Sequence, residues 1–249
     1  MSDIKWCIDY LAKYDGVSVP TGWADEELFR AFQNVTLPSD LSDEFYDKQD
    51  EVLQDILSRK NVVDVSTFPD GVTLYRGDIT LLKADAIVNA CNSKMLGCFV
   101  PGHHCIDNAI HSFAGLQVRR DMMKVMEKQG RDEPNGECKV TKGYNLPSTY
   151  VFHTVGPIYR GVQQDEIDLI KCYLSCLSKA DEMGLSSLVF CSLSTGVFGY
   201  PIEKASKIAV STILKYLKER NKGLKKIVFD VFSKGDYDVY DRTIKEATK

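Results

Sequence analysis

The chain has 249 residues, 44% of them hydrophobic and 27% charged, with 31 basic against 35 acidic residues and a formal net charge of −4. That length suits one large domain or a domain with a substantial appendage, and the composition is that of an ordinary globular protein. The negative balance argues against a general grip on nucleic acid, because a phosphate backbone demands a basic face, but it leaves room for one nucleotide held in a pocket by backbone N–H groups.

The opening stretch MSDIKWCIDYLAKYD is amphipathic and carries carboxylates. It lacks the basic start and apolar centre of a leader and reads as mature sequence. Ile4, Cys7, Ile8 and Leu11 fall on one face of a helix. A second helix is expected with Asp25 as its cap and Leu28, Phe29, Phe32 and Val35 on its apolar side. Ser42 begins a third, carrying Phe45, Val52, Leu53, Ile56 and Leu57. Residues 1–65 show no strand signal and form a helical extension; residues 66–249 are expected to form the main domain.

From Val72 onward the texture changes. The apolar runs VTLY (72–75), AIVNA (86–90), TYVFHTV (149–155), SLVFC (187–191) and KIVFDV (226–231) alternate with helical patterns at 105–130, 164–183, 201–220 and 236–247. GECKVTKGYNL (136–146) reads as an extra strand. Short strands that are apolar throughout imply a sheet covered on both faces, hence a three-layer α/β/α domain with a mixed, mainly parallel sheet. No apolar run approaches the ~18 residues of a membrane span. Eight cysteines at irregular spacing in a chain of this size do not read as a disulfide framework; Cys7, Cys172, Cys176 and Cys191 lie in apolar or helical patterns and are expected to be buried thiols in a reducing cytoplasm.

In such folds ligands bind beyond the carboxyl ends of the strands, so the residues that follow each run carry the interest. RGDIT (76–80) offers Asp78 and Thr80 as turn caps. CNSKMLGC offers Asn92, which with Asn89 brackets a strand end where amides can meet sugar hydroxyls; singly, each suits a turn. SLSTGVFGYP (192–201) has two glycines, small hydroxyl residues and Pro201 at a helix start, as a phosphate cradle needs, although an ordinary strand–helix turn has the same composition. GCFVPGHHCIDNAIH (97–111) concentrates two cysteines and three of the four histidines, which is a metal site or a coincidence in a loop.

Together GDIT, AIVNACNS, CIDNAIHSFAG, FHTVGPIY and LSTGVFGYP, in this order, resemble the macrodomain family of ADP-ribose-binding domains. CFVPGHHC, standing where many hydrolytic macrodomains have a run of glycines, is similar to the zinc-dependent microbial branch, which also carries an N-terminal helical extension. The resemblance implies that Asp78 and the backbone of Ile79 recognise adenine. It implies that Ser194, Thr195, Gly196, Val197, Phe198 and Gly199 wrap the diphosphate and distal ribose, with Asn92 and Asp107 as catalytic residues where the bond is cut. It implies Zn2+ on Cys98, a histidine and Cys105, and removal of mono-ADP-ribose from a modified protein; some relatives of this branch stand beside a sirtuin that modifies a lipoyl-carrier protein. A monomer is expected.

Residues two apart in an extended segment share a side, which favours His103 over His104 as the partner of Cys105. Three ligands leave a fourth position open, the pattern of catalytic zinc; a structural site would need a fourth ligand from Cys91 or His104. A Lewis acid there would act on a ribose hydroxyl or a water. Cys105, at a helix N-terminus, is expected to hold its thiolate readily. His153 reads as a satisfied core histidine, and His111 as a structural partner of Asp107 within one helix. The competing function is a reader that binds ADP-ribose and does no chemistry. A zinc nucleobase deaminase is disfavoured because H-x-E and P-C-x-x-C are both missing.

Overall fold

The computed structural model describes residues 2–249. Three helices come first: α1 (Asp3–Asp15), α2 (Asp25–Val35) and α3 (Asp43–Ser58). Ser42 caps α3 as expected, its hydroxyl accepting from the Phe45 amide at 3.1 Å. Asp25 does not cap α2. Ala24 holds that position without a side-chain bond, and Asp25, Glu26 and Glu27 fill the first turn, where carboxylates suit the positive end of the helix. Val35, expected on the apolar face, is exposed, while the polar Gln33 and Asn34 are buried. Cys7, Leu11, Phe29, Phe32, Phe45 and Leu53 form the core of this helical layer, and Leu116 enters it from the rest of the chain.

The main sheet has six strands: β2 (Gly71–Arg76), β4 (Ala86–Cys91), β5 (Cys138–Lys142), β6 (Tyr150–Val155), β7 (Ser187–Cys191) and β8 (Lys226–Val231). Their order is β2-β8-β7-β4-β6-β5. All neighbours are parallel except β5, which runs against β6. A short parallel pair, β1 (Val63–Asp64) with β3 (Leu82–Lys83), lies outside the main sheet. It places a strand inside the segment read as purely helical and ties the end of the extension to the domain that follows.

Five helices complete the fold: α4 (Ile106–Ala114), α5 (Leu116–Gln129), α6 (Gln163–Glu182), α7 (Ile202–Glu219) and α8 (Lys234–Ala247). The β4-to-β6 connection steps one way along the sheet, and the β6-to-β7 and β7-to-β8 connections step the other way. Right-handed crossovers therefore put α4 and α5 on one face and α6 and α7 on the opposite face. The N-terminal helices stack outside α4, through contacts between α2 and α4. Between the layers, Val88, Phe152, Phe190 and Phe229 are sealed from solvent.

The single helix expected over 105–130 is broken at Gly115. Its φ of +99° favours glycine, and a Cβ there would stand 2.7 Å from Gln49 Nε2 of α3. Gln49 Oε1 accepts from the Leu116 amide at 2.9 Å, giving the second helix its start. All eight cysteines are free, and among the described residues no helix is long and apolar enough to cross a membrane.

Candidate active site

The five parallel strands deliver the loops that follow them to one end of the sheet. At the end of β2, Asp78 is exposed and its Oδ1 accepts from the Thr80 amide (2.9 Å) and hydroxyl (2.6 Å), while Ile79 is buried behind it. Both the turn and the exposure follow from one arrangement, because the second carboxylate oxygen is not used by the cap. The neighbouring strand β8 ends beside it, with the Gly77 amide donating to Val231 O at 3.2 Å. Phe232 follows and is 85% exposed. The sequence reading passed over it, although the rule that singles out the other strand ends points to it: an aromatic face left in water at a ligand edge suits a base. Two residues earlier, within β8, Asp230 is pushed up to about 8 by burial, with Asp78 adding to the shift, and its Oδ1 lacks a partner among the described residues.

After β7, residues 192–199 form a closed loop. The Tyr200 amide donates to Ser194 O and the Gly199 amide to Gly196 O, both at 2.9 Å, and the Tyr159 amide reaches Phe198 O at 2.9 Å. Ser194 has a φ of +64°, a left-handed conformation rare outside glycine and typical of functional loops. Its side chain fits only because Gly156 stands behind it; a Cβ on Gly156 would run into Ser194 Oγ. Gly196 faces open space, and Val197 is 82% exposed. Among the described residues the amides of Gly196, Val197 and Phe198 make no hydrogen bond, which leaves a row of donors at the start of α7. Pro201 is the N-cap of that helix, with Ile202 its first residue.

The loop after β4, on the strand next to β7, brings Cys98, His103 and Cys105 together. One ligand atom from each lies within 4.8 Å of the others, with Cys98 Sγ and His103 Nδ1 3.6 Å apart. Zn–S bonds of about 2.3 Å and Zn–N bonds of about 2.0 Å around a tetrahedral ion put sulfur and nitrogen about 3.5 Å apart, so the three residues fit such an ion. His104 and Cys91 both lie outside the cluster, His104 exposed and Cys91 buried, where its thiol donates to Thr154 O. Cys105 is the N-cap of α4, and its sulfur accepts from the Asn108 amide at 3.4 Å. The helix end does not by itself favour the thiolate: burial pushes Cys105 up to about 11 despite that bond.

Asp107 sits in the first turn of α4, buried, and burial pushes it up to about 6 against the opposing Asn89 bond. Its Oδ1 accepts from Asn89 Nδ2 at 2.8 Å, and its Oδ2 lies 3.5 Å from Asn92 Nδ2. Asn92 also donates to Gly97 O (3.1 Å) and accepts from the Lys94 amide (3.0 Å), so it shapes the turn and meets Asp107 at once. Asn89 is sealed in the core; it also bonds His153 Nδ1 at 3.2 Å, and Thr141 holds His153 Nε2 at 2.9 Å. Asn89 therefore supports Asp107 from behind and does not face a sugar. His153 is the satisfied core histidine anticipated, held neutral by burial that takes it down to about 3. His111 differs from expectation. Its Nε2 lies 3.5 Å from Asp107 Oδ1, but burial keeps the ring neutral and neither nitrogen finds a hydrogen bond among the described residues.

These features define a three-layer α/β/α domain with a loop of free amides and a polar, cysteine-containing cluster after adjacent strands. The Macro domain family model matches residues 88–209. A protein of Staphylococcus aureus (strain MRSA252) named "Protein-ADP-ribose hydrolase" is 45% identical over 234 residues, covering 91% of this chain and 87% of its own. One of the same name from Treponema medium is 43% identical over 250 residues, covering 94% and 95%. Among solved structures, the Trypanosoma brucei macrodomain in complex with ADP-ribose matches with a TM-score of 0.68 and 33% identity over 84% of this chain and 93% of that one. A mutant Oceanobacillus iheyensis macrodomain with ADPR matches at 0.65 and 36%, over 70% and 92%. The chain belongs to the macrodomain family.

Proposed function

We propose that this protein is a hydrolase that removes mono-ADP-ribose from modified proteins and uses a zinc ion held by Cys98, His103 and Cys105. The observation that carries the reading is the convergence of these three ligand atoms, Cys105 standing two residues before Asp107, in the loop after the strand next to the one that bears the 194–199 loop. The names of the relatives, which span most of both chains, point to the same activity.

Asp78 and the Ile79 backbone take the adenine, with Phe232 against its face, and residues 194–199 take the diphosphate through their amides. The distal ribose then lies over Asn92 and Asp107. With Oδ1 committed to Asn89, Asp107 works through Oδ2, and a carboxyl raised to about 6 can hold or accept a proton near neutral pH. Asn92 orients that carboxyl and the turn that leads into the metal loop. Bound zinc supplies Lewis acidity toward a ribose hydroxyl or a water. The thiols throughout the chain suit a reducing compartment.

The test incubates the protein with mono-ADP-ribosylated carriers of defined linkage, a lipoyl-carrier protein among them, with and without a chelator, and measures released ADP-ribose. Release that the chelator abolishes supports the reading. Release that survives complete metal removal leaves a hydrolase without zinc. Binding without release on every linkage makes the protein a reader.

A further inference from the structure

We propose that the N-terminal helices are a clamp for the metal loop, and that Arg30 and Asn34 of α2 are positioning residues that keep His103 in register with Cys98 and Cys105. The proposal rests on the zinc reading given above. The loop has little with which to hold itself. Phe99 and Val100 at its tip are exposed, Gly102 has a left-handed φ of +64°, and its own backbone contributes one turn, from the His103 amide to Val100 O at 3.1 Å.

Other elements supply the missing partners. The Gly102 amide donates to Asn34 Oδ1 at 2.9 Å, and Asn34 is buried with its Nδ2 tied to Ser112 Oγ at 2.8 Å. The His103 carbonyl accepts from Arg30 Nη2 at 3.1 Å. The same guanidinium grips Asn108 Oδ1 through Nη2 (2.8 Å) and Nε (3.2 Å), which aims Asn108 Nδ2 at Val100 O, 2.9 Å away, and Cys98 O, 3.4 Å away. At the entry to the loop, buried Arg119 donates to Leu96 O at 2.7 Å and, on its other arm, to Gln33 O (2.6 Å) and Thr36 O (2.8 Å) at the end of α2. Its guanidinium also lies over the Phe99 ring, 4.5 Å from the centroid.

Thus the backbone of one ligand, His103, and of the residue before it is fixed by side chains from the extension. Outer partners of this kind set the geometry of a metal site and slow its opening. Docking of the extension does not need these bonds. Leu116 in the helical core, Gln49 on the Leu116 amide and Gln54 on Asn145 already fasten the two parts elsewhere.

The test loads the full chain with zinc and follows transfer of the metal to a chromophoric chelator. Arg30→Ala and Asn34→Ala should release zinc at least tenfold faster than wild type, with Arg30→Lys in between because it keeps one donor. Gln54→Ala, which breaks a docking bond far from the loop, should release at the wild-type rate. Thermal melts check folding, and should an alanine variant fail to fold, Arg30→Gln and Asn34→Ser carry the same measurement. Wild-type rates in the Arg30 and Asn34 variants overturn the proposal, as does equal acceleration in Gln54→Ala, which would mark general loosening. A wild-type chain that takes up no zinc removes the metal reading itself, an outcome distinct from unchanged release.

Discussion

Gly196→Glu should abolish ADP-ribose binding by charge alone. A Cβ built on Gly196 meets nothing within 4 Å, so the fold accepts the substitution. The new carboxylate enters the space in front of the free amides at 196–198. At a separation of about 5 Å and an effective dielectric of about 20, repulsion from each phosphate charge is about 3 kcal/mol. A single such term lowers affinity more than a hundredfold. Calorimetric titration with ADP-ribose measures the loss, and high salt should recover part of it because the loop is open to solvent. Gly196→Gln supplies the same bulk without charge and should bind far better than the glutamate variant; Gly196→Ala should stay close to wild type. Wild-type affinity in Gly196→Glu would refute this placement of the diphosphate. Equal losses in the Glu and Gln variants would show that bulk acts, and not charge.

Cys98→Ala should cut hydrolysis by about a hundredfold or more while weakening ADP-ribose binding only a few-fold, since Lewis acidity matters most where charge develops in the transition state. Asp107→Ala should lose rate similarly but keep the metal; wild-type rates in both would reduce the 97–105 loop to a structural staple. His103→Ala should lose zinc on metal analysis and His104→Ala retain most of it, and the reverse ranking would place the wrong ring at the ion. Asp230 gives a pH-dependent stability. Its folded pKa, raised to about 8, exceeds that of an unfolded aspartate near 4, so its contribution is full below about pH 4 and lost as pH rises towards 8. Asp230→Asn should melt above wild type at pH 8 and near it at pH 4; parallel melting profiles for the two proteins would exclude this origin.

The alternation of apolar runs and helical patterns was enough to read the layers, because central strands buried on both faces must be apolar throughout. What escaped depended on partners distant in sequence. The apolar rhythm of 105–130 runs straight through Gly115, and only Gln49, from another helix, makes the break. Nothing in the local sequence marks Arg119 of α5 for burial; it is buried because the carbonyls it satisfies come from residues 33, 36 and 96. The convergence of Cys98, His103 and Cys105 was legible because their spacing is local; the side chains of α2 that bond to this loop carry no signal of their own. Asn89 and Asn92 look alike in the strand-end sequence, but the pleat and the turn send one inward to support Asp107 and leave the other at the pocket.

The close approach of Gly156 to Ser194 makes the 194–199 loop adjustable from its rear. Gly156 follows β6 directly and lies behind that loop, so a methyl group at that position would press on the one serine that adopts a left-handed backbone. A survey of variants for altered nucleotide affinity would therefore find a sensitive position in the wall behind the ligand. An inhibitor design that considered only the open face of the pocket would overlook the route by which resistance could arise.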